Sequence, residues 1–259
     1  MANQTSRLSA DEIFDRVEAG GEEELDRRVL NLALSAVSAG LAMGLSGLGV
    51  ATLLHILGDD RVGQTVAYLA YPLGFLIVII GRMQLFTENT LFPVTLVLHQ
   101  RRLLAVTARL WAVVLTGNVI GTLLFALLAM RTSALTPGMA EELTKLGVDA
   151  GSRGFSTVFW TAVVAGWLIA LVAWLVTAST DTVGQIVMIV MLTYVVGVGH
   201  FAHSVAGSGE VLAAVLSGGL PTTSYLTWLV GAVLGNSVGG VLIVALFNYG
   251  QVHARPTKK

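Results

Sequence analysis

Charged residues divide the chain into long uncharged stretches: Val29 to Gly58, Val62 to Gly81, Leu110 to Met130, Gly154 to Thr180, Thr182 to Gly209 and Val211 to Ala254. A membrane-spanning helix needs about 20 predominantly apolar residues. Most of these stretches are one span long. The last is interrupted by Ser217-Gly-Gly-Leu-Pro-Thr-Thr-Ser224, which reads as a turn. The pattern predicts six spans, at 30–57, 65–99, 104–130, 156–178, 183–215 and 223–248. The second and fifth are too long and too interrupted to be single helices. Tyr71-Pro72-Leu-Gly74 is expected to break the second, and the glycine-rich run Gly197 to Gly209 the fifth.

Before the first span lies a polar segment. It begins with polar residues and lacks the basic-then-apolar order of a signal peptide. Ser9-Ala-Asp-Glu12 has the form of a capping box. Ile13, Phe14 and Val17 then make a short apolar face beside Asp11, Asp15, Arg16 and Glu18. This predicts a short surface helix lying on the membrane, or else a solvated polar tail. Gly20-Gly21 is expected to end it. The resulting division is a segment 1–29, a six-span body 30–250 with halves at 30–130 and 156–248, and a tail 251–259.

Composition narrows the class. Of 259 residues only 12% are charged and 54% are apolar, with mean hydropathy +0.77. Soluble domains carry about 25% charged residues, so a soluble enzyme is nearly excluded. A net charge of −1 argues against nucleic acid. The absence of Cys rules out disulfides, zinc–thiolate sites and thiol nucleophiles. No metal or cofactor is expected. An all-α polytopic membrane protein remains. With six spans both termini share one side. That side carries Arg7, Arg16, Arg27, Arg28, Arg101, Arg102, Arg109, Arg255, Lys258 and Lys259; the other carries Arg61, Arg131, Lys145 and Arg153. This excess places the termini in the cytoplasm.

The spans repeat. Gly117-Asn118-Val-Ile-Gly121 in the third returns as Gly235-Asn236-Ser-Val-Gly239 in the sixth, 118 residues on. Glycines four apart allow close helix approach, here expected to pack the halves within one subunit. Three spans per half is an odd number, so the two halves must be inverted. Inverted repeats with paired broken helices mark a midplane transport site. The same offset carries Thr87 to Val205, beside His203.

Ionisable residues inside spans are functional candidates. Four stand out: Arg82, Glu88, His200 and His203. His203 sits beside Ser204 in a glycine-rich break, where backbone groups can line a cavity. Arg82 and Glu88 are six apart, so an unbroken helix would hold them about 120° from eclipsed. They select the solute, or they clamp the helix break. Gln84, Thr87, Asn89 and Thr90 add polarity around Glu88. His55, Asp59 and Asp60 mark a span end, and His99 and His253 lie at edges.

Tyr71-Pro-Leu-Gly-Phe75, Leu85-Phe86-Thr87, Gly117-Asn118 and His203-Ser204-Val205-Ala206 resemble the formate/nitrite transporter family across all six spans. The resemblance implies an aquaporin-like fold, a homopentamer with one pore per subunit in a bacterial inner membrane, and small monovalent anions or their weak acids as substrates. It implies a pore histidine at His203, a pore threonine at Thr87, and apolar constrictions near Tyr71, Phe75 and Val196. The chain departs from the family pattern at several places. Arg82-Met83-Gln84 stands for Gly-Ala-Asp/Glu, and Glu88 for Gly or Ser. Ala202 replaces the Glu before the histidine, and Gly207 the Asn after it. Ala165-Gly166 replaces Cys-Asn in the fourth span. The expected lysine falls on Ala150, near Arg153. These mark a divergent member.

Three functions compete. An anion or weak-acid channel would exclude hydrated ions at apolar constrictions, because desolvating a charge is expensive. A mid-pore imidazole, with an unperturbed pKa of about 6.5, would relay the proton. A neutral-solute channel is motivated by Glu88, whose charge would repel anions. An intramembrane serine protease is suggested only by Gly207-Ser208-Gly209 near His203.

Overall fold

The computed structural model describes residues 8–245 and 250. The expectations for residues 246–248, His253 and the 251–259 tail, including Arg255, Lys258 and Lys259, lie outside the described residues, as does Arg7.

The first helix, α1 (Ala10–Asp26), is capped as the sequence predicts. The Ser9 N–H donates to Glu12 Oε2 at 2.7 Å, and the Glu12 N–H donates to Ser9 Oγ at 3.2 Å. The Ser9 bonds hold the Glu12 carboxyl below the usual carboxylate range. The helix is not a solvated tail, for Phe14, Val17 and Leu25 are buried. Nor does Gly20-Gly21 end it. Gly21 is the point where α1 lies against a later helix: a β-carbon there would come within 2.6 Å of the Phe92 carbonyl oxygen. Close approach, not a turn, explains this glycine.

The spans follow. Helix α2 (Val29–Leu57) is the first. The second begins as α3 (Arg61–Ala67), tightens into a 3-10 turn at Tyr68–Ala70, continues as α4 (Pro72–Ile80), breaks, and resumes as α5 (Phe92–His99). The third is α6 (Leu104–Arg131). A helix the sequence reading missed, α7 (Pro137–Gly151), covers the loop before the fourth span, α8 (Phe155–Ala178). Thr136 caps α7 and Pro137 stands at its first position, where a missing N–H costs nothing. The fifth span is α9 (Thr182–Val198), a break, then α10 (Ala206–Leu216). The sixth is α11 (Thr222–Val238), continuing as a π-turn over Gly239–Ala245. Among the described residues five stretches are long and apolar enough to cross a membrane, and α9 and α10 are shorter apolar pieces. Leu30, Leu34, Leu128, Trp160 and Met191 are among the apolar side chains left exposed, as a lipid-facing surface requires.

The second break is not at Tyr71–Gly74. Pro72 is accommodated at the first position of α4. The chain leaves the helix at Gly81 instead.

Each glycine pair seats its span inside its own half. A β-carbon on Gly121 would overlap the Val37 carbonyl of α2, and one on Gly239 the Val163 carbonyl of α8. The first and third spans of each half thus touch backbone to backbone.

Candidate functional site

Two helices end at the breaks in the same way. Helix α4 ends in paired bonds, Arg82 N–H to Ile79 O at 3.2 Å and Met83 N–H to Val78 O at 2.9 Å. Helix α9 ends the same way 118 residues on, with His200 N–H to Gly197 O at 2.8 Å and Phe201 N–H to Val196 O at 3.0 Å. This is the Schellman cap, whose terminal residue is left-handed and ordinarily glycine. Here it is Arg82 (φ 51°) and His200 (φ 50°).

After each cap the chain runs without helical bonding for a few residues. Two asparagines hold it there. Asn118 Oδ1 accepts from Phe86 N–H at 2.9 Å, while its Nδ2 donates to Ala36 O and Gln84 O, both at 2.8 Å. Asn236 Oδ1 accepts from Ser204 N–H at 2.8 Å, while its Nδ2 donates to Ala162 O at 2.8 Å and Ala202 O at 2.9 Å. Both are fully buried. They satisfy backbone groups that a break leaves orphaned in an apolar medium. The sequence reading used these asparagines only to mark the repeat. Their recurrence beside glycine, 118 apart, was the available signal for this role.

The breaks meet at Thr87 and His203. Thr87 Oγ1 lies 2.9 Å from His203 Nε2, and the two residues are 0% and 1% exposed. The other ring nitrogen, Nδ1, accepts the N–H groups of Val205 (3.3 Å) and Ala206 (3.1 Å). An acceptor at Nδ1 places the ring proton on Nε2, so His203 donates to Thr87. The Phe75 ring stands edge-on to the imidazole at 5.0 Å, with Tyr71 next at 5.6 Å, then Tyr68 at 6.3 Å. Phe75, Tyr71 and Val196 are buried. Ser204 Oγ is buried beside His203 and has no hydrogen bond within the described residues.

A cavity lies on each side of this pair. The one beside α1 is large, about 490 Å³, and Arg82, Glu88, Gln84, Glu24 and Arg27 line it. The other is about 50 Å³, room for a few water-sized species; Tyr71, Val196, His200, His203, Arg153 and Glu210 are among its walls.

Arg82 and Glu88 share the larger cavity, and among the described residues neither side chain has a hydrogen bond or an ion pair. The polar side chains around them bond to one another and to the backbone: Gln84 Nε2 donates to Glu24 Oε2 at 2.7 Å, Asn89 Nδ2 donates to Gln84 Oε1 at 3.1 Å, and Thr90 Oγ1 donates to Thr87 O at 2.6 Å. His200 lies at the mouth of the smaller cavity, its Nδ1 3.1 Å from the Tyr68 hydroxyl and its carbonyl accepting from Arg153 Nη1 at 2.9 Å.

Glu210, which in the sequence only divides two apolar stretches, stands within α10 and lines the cavity that His203 lines. Its position inside the predicted fifth span was the signal. Ser208, the protease candidate, donates to Ser204 O at 2.6 Å and meets the Tyr225 hydroxyl at 3.2 Å. It does not bond to the imidazole, so no nucleophile–base pair exists there.

Known proteins resemble this chain in sequence and in fold. The family profile described as formate/nitrite transporter matches residues 11–250. "Inner membrane protein YfdC" of Escherichia coli (strain K12) is 33% identical over 243 residues, covering 93% of this chain and 78% of that protein. A solved structure described as an "FNT family ion channel" aligns with TM-score 0.81 at 21% identity, over 95% of this chain and all of the other. Another, "Pentameric formate channel with formate bound", aligns at TM-score 0.73 and 18% identity, over 88% and 98%.

Proposed function

This chain belongs to the formate/nitrite transporter family, and on that premise we propose that it is a pentameric channel for small monovalent anions or their weak acids, of the formate, nitrite and hydrosulfide class. The observation that carries the reading is the buried Thr87–His203 pair, enclosed by Phe75, Tyr71 and Val196 between two cavities. A hydrated ion does not fit through an apolar closure of this kind without losing its water. A neutral small acid does, and an N–H and a hydroxyl at the narrowest point replace part of its hydration. Arg82 on one side and Arg153 on the other draw the anion in. Ser204 Oγ offers one more hydrogen bond at the same depth.

In this reading His203 orients the solute and keeps its proton, in place of the relay first expected of it. Loading a proton on Nδ1 would displace two backbone N–H groups. The site residues, the inner-membrane location with both termini cytoplasmic, the contact with lipid and the boundaries 1–29, 30–250 and 251–259 belong to the same proposal.

A second reading, a pore for neutral solutes, draws on Glu88 and Glu210, a carboxyl in each cavity. Uptake into liposomes separates the two. Formate and nitrite should enter faster than urea and glycerol; the reverse order would establish the neutral-solute pore.

A further inference from the structure

A weak acid that crosses as a neutral molecule must gain a proton on one side and lose it on the other. His203 has both nitrogens committed. The smaller cavity offers other titratable groups. Asp149 is paired with Arg153, which also donates to the His200 carbonyl. The Tyr68 hydroxyl is bonded to His200. Tyr71 is buried against Phe75, and on α11 Tyr225 is bonded to Ser208.

Of the two carboxyls in this cavity, Asp149 and Glu210, it is the Glu210 side chain that has no hydrogen bond or ion pair among the described residues. The fold makes room for it. A β-carbon on Gly47 of α2 would stand 2.7 Å from Glu210 Cγ and 3.0 Å from its Oε1, and one on Gly147 of α7 would overlap the Glu210 carbonyl. Two helices therefore carry glycine where this residue passes. Neither glycine contributes a competing charge, and within α10 Phe125 of α6 stands against Gly209 and Trp228 of α11 against Gly207. A carboxyl kept unpartnered in a cavity that reaches His203 is free to exchange its proton with whatever enters.

We propose that Glu210 is the proton-exchange group of the pathway, protonating a monovalent weak-acid anion in the smaller cavity beside His203. The proposal rests on the weak-acid reading above. In the step, the O–H bond of the Glu210 carboxyl breaks and the proton bonds to the anion. The solute leaves as a neutral acid and Glu210 remains as carboxylate. Hydronium entering the cavity restores the carboxyl. Flow in the opposite direction reverses each step.

The test uses full-length protein in liposomes and formate uptake between pH 6 and 8. If the proton came only from bulk water, the neutral acid and the flux would fall about tenfold per pH unit. The wild type should fall less steeply than that. Glu210→Gln should show the full tenfold slope, and Glu210→Asp, which keeps a carboxyl, should stay shallow. If Glu210→Gln does not assemble, Glu210→Met, similar in length and uncharged, takes its place. Parallel slopes in assembled wild type and variant would overturn the proposal. So would a variant that is faster at every pH, which would make Glu210 an electrostatic barrier. Wild-type liposomes that take up neither formate nor nitrite would instead overturn the weak-acid reading, and this assignment with it.

Discussion

At Gly81–Thr87 the chain leaves α4 through a left-handed Arg82 and presents the Phe86 N–H to Asn118; at Gly199–Val205 it leaves α9 through a left-handed His200 and presents the Ser204 N–H to Asn236. The backbones match at an offset of 118. The side chains do not. Leu85 corresponds to His203, Thr87 to Val205 and Gln84 to Ala202. One break thus supplies the hydroxyl and the other the imidazole of a single hydrogen bond. The comparison separates frame from chemistry. The frame is built twice from the same parts, because a broken helix has the same orphaned backbone groups wherever it occurs. The chemistry is built once, because the two breaks face each other and need only one polar pair between them.

The strongest test of that separation is removal of the frame. Asn118→Leu and Asn236→Leu each strand a buried backbone N–H and two carbonyls, costing on the order of 3 kcal/mol. The two variants should lower the melting temperature in detergent by similar amounts. A large effect from one and none from the other would break the equivalence of the halves.

Gly121→Ala and Gly239→Ala press a methyl into a facing carbonyl, at about 1–3 kcal/mol each. Thermal unfolding should again find the pair alike, and each should loosen its own half.

The chemistry should respond differently. Thr87→Val leaves the His203 Nε2–H without its acceptor, and formate flux should drop about tenfold, equivalent to about 1.4 kcal/mol. Thr87→Ser, which keeps the hydroxyl, should restore it. His203→Asn should lower flux with the pH slope of the wild type retained. A changed slope would return the relay to His203.

The smallest expected effect lies at the caps. Arg82→Gly and His200→Gly relieve a β-carbon in the left-handed region, a gain of about 1 kcal/mol or less after the entropy of glycine is counted. Melting should rise slightly in both. Uptake should fall in Arg82→Gly, through loss of the guanidinium charge in the larger cavity, and change less in His200→Gly, which the uptake assay reads separately.

Much of the fold was legible in the residues. The hydrophobic stretches located the spans, because a bilayer demands a fixed apolar length. The capping box located the start of α1, because its hydrogen bonds are local. The repeated Gly-Asn-x-x-Gly located the two halves, since close helix contact constrains which residues fit. The misplaced features depended on what lies across space. Pro72 looks like a breaker and is only a first-turn residue, while Gly21 looks like a terminator and is a contact. Neither can be told from its neighbours in sequence, because Phe92 is 71 positions from Gly21.

The site divides the same way. His203 and Thr87 were visible as polar residues in apolar surroundings, whose burial requires partners. That they bond to each other, that Nδ1 is taken by two N–H groups, and that Arg82 and Glu88 do not pair were decided by tertiary structure. Hydrogen bonds form at about 3 Å and weaken steeply with angle, and sequence spacing specifies neither across a broken helix. Glu210 is the sharpest case. In the sequence it ends an apolar run; in the fold, glycines on two other helices turn its position into the wall of a cavity. Apolar length is a property of one segment and can be read from it, whereas a cavity is the space that several segments leave between them.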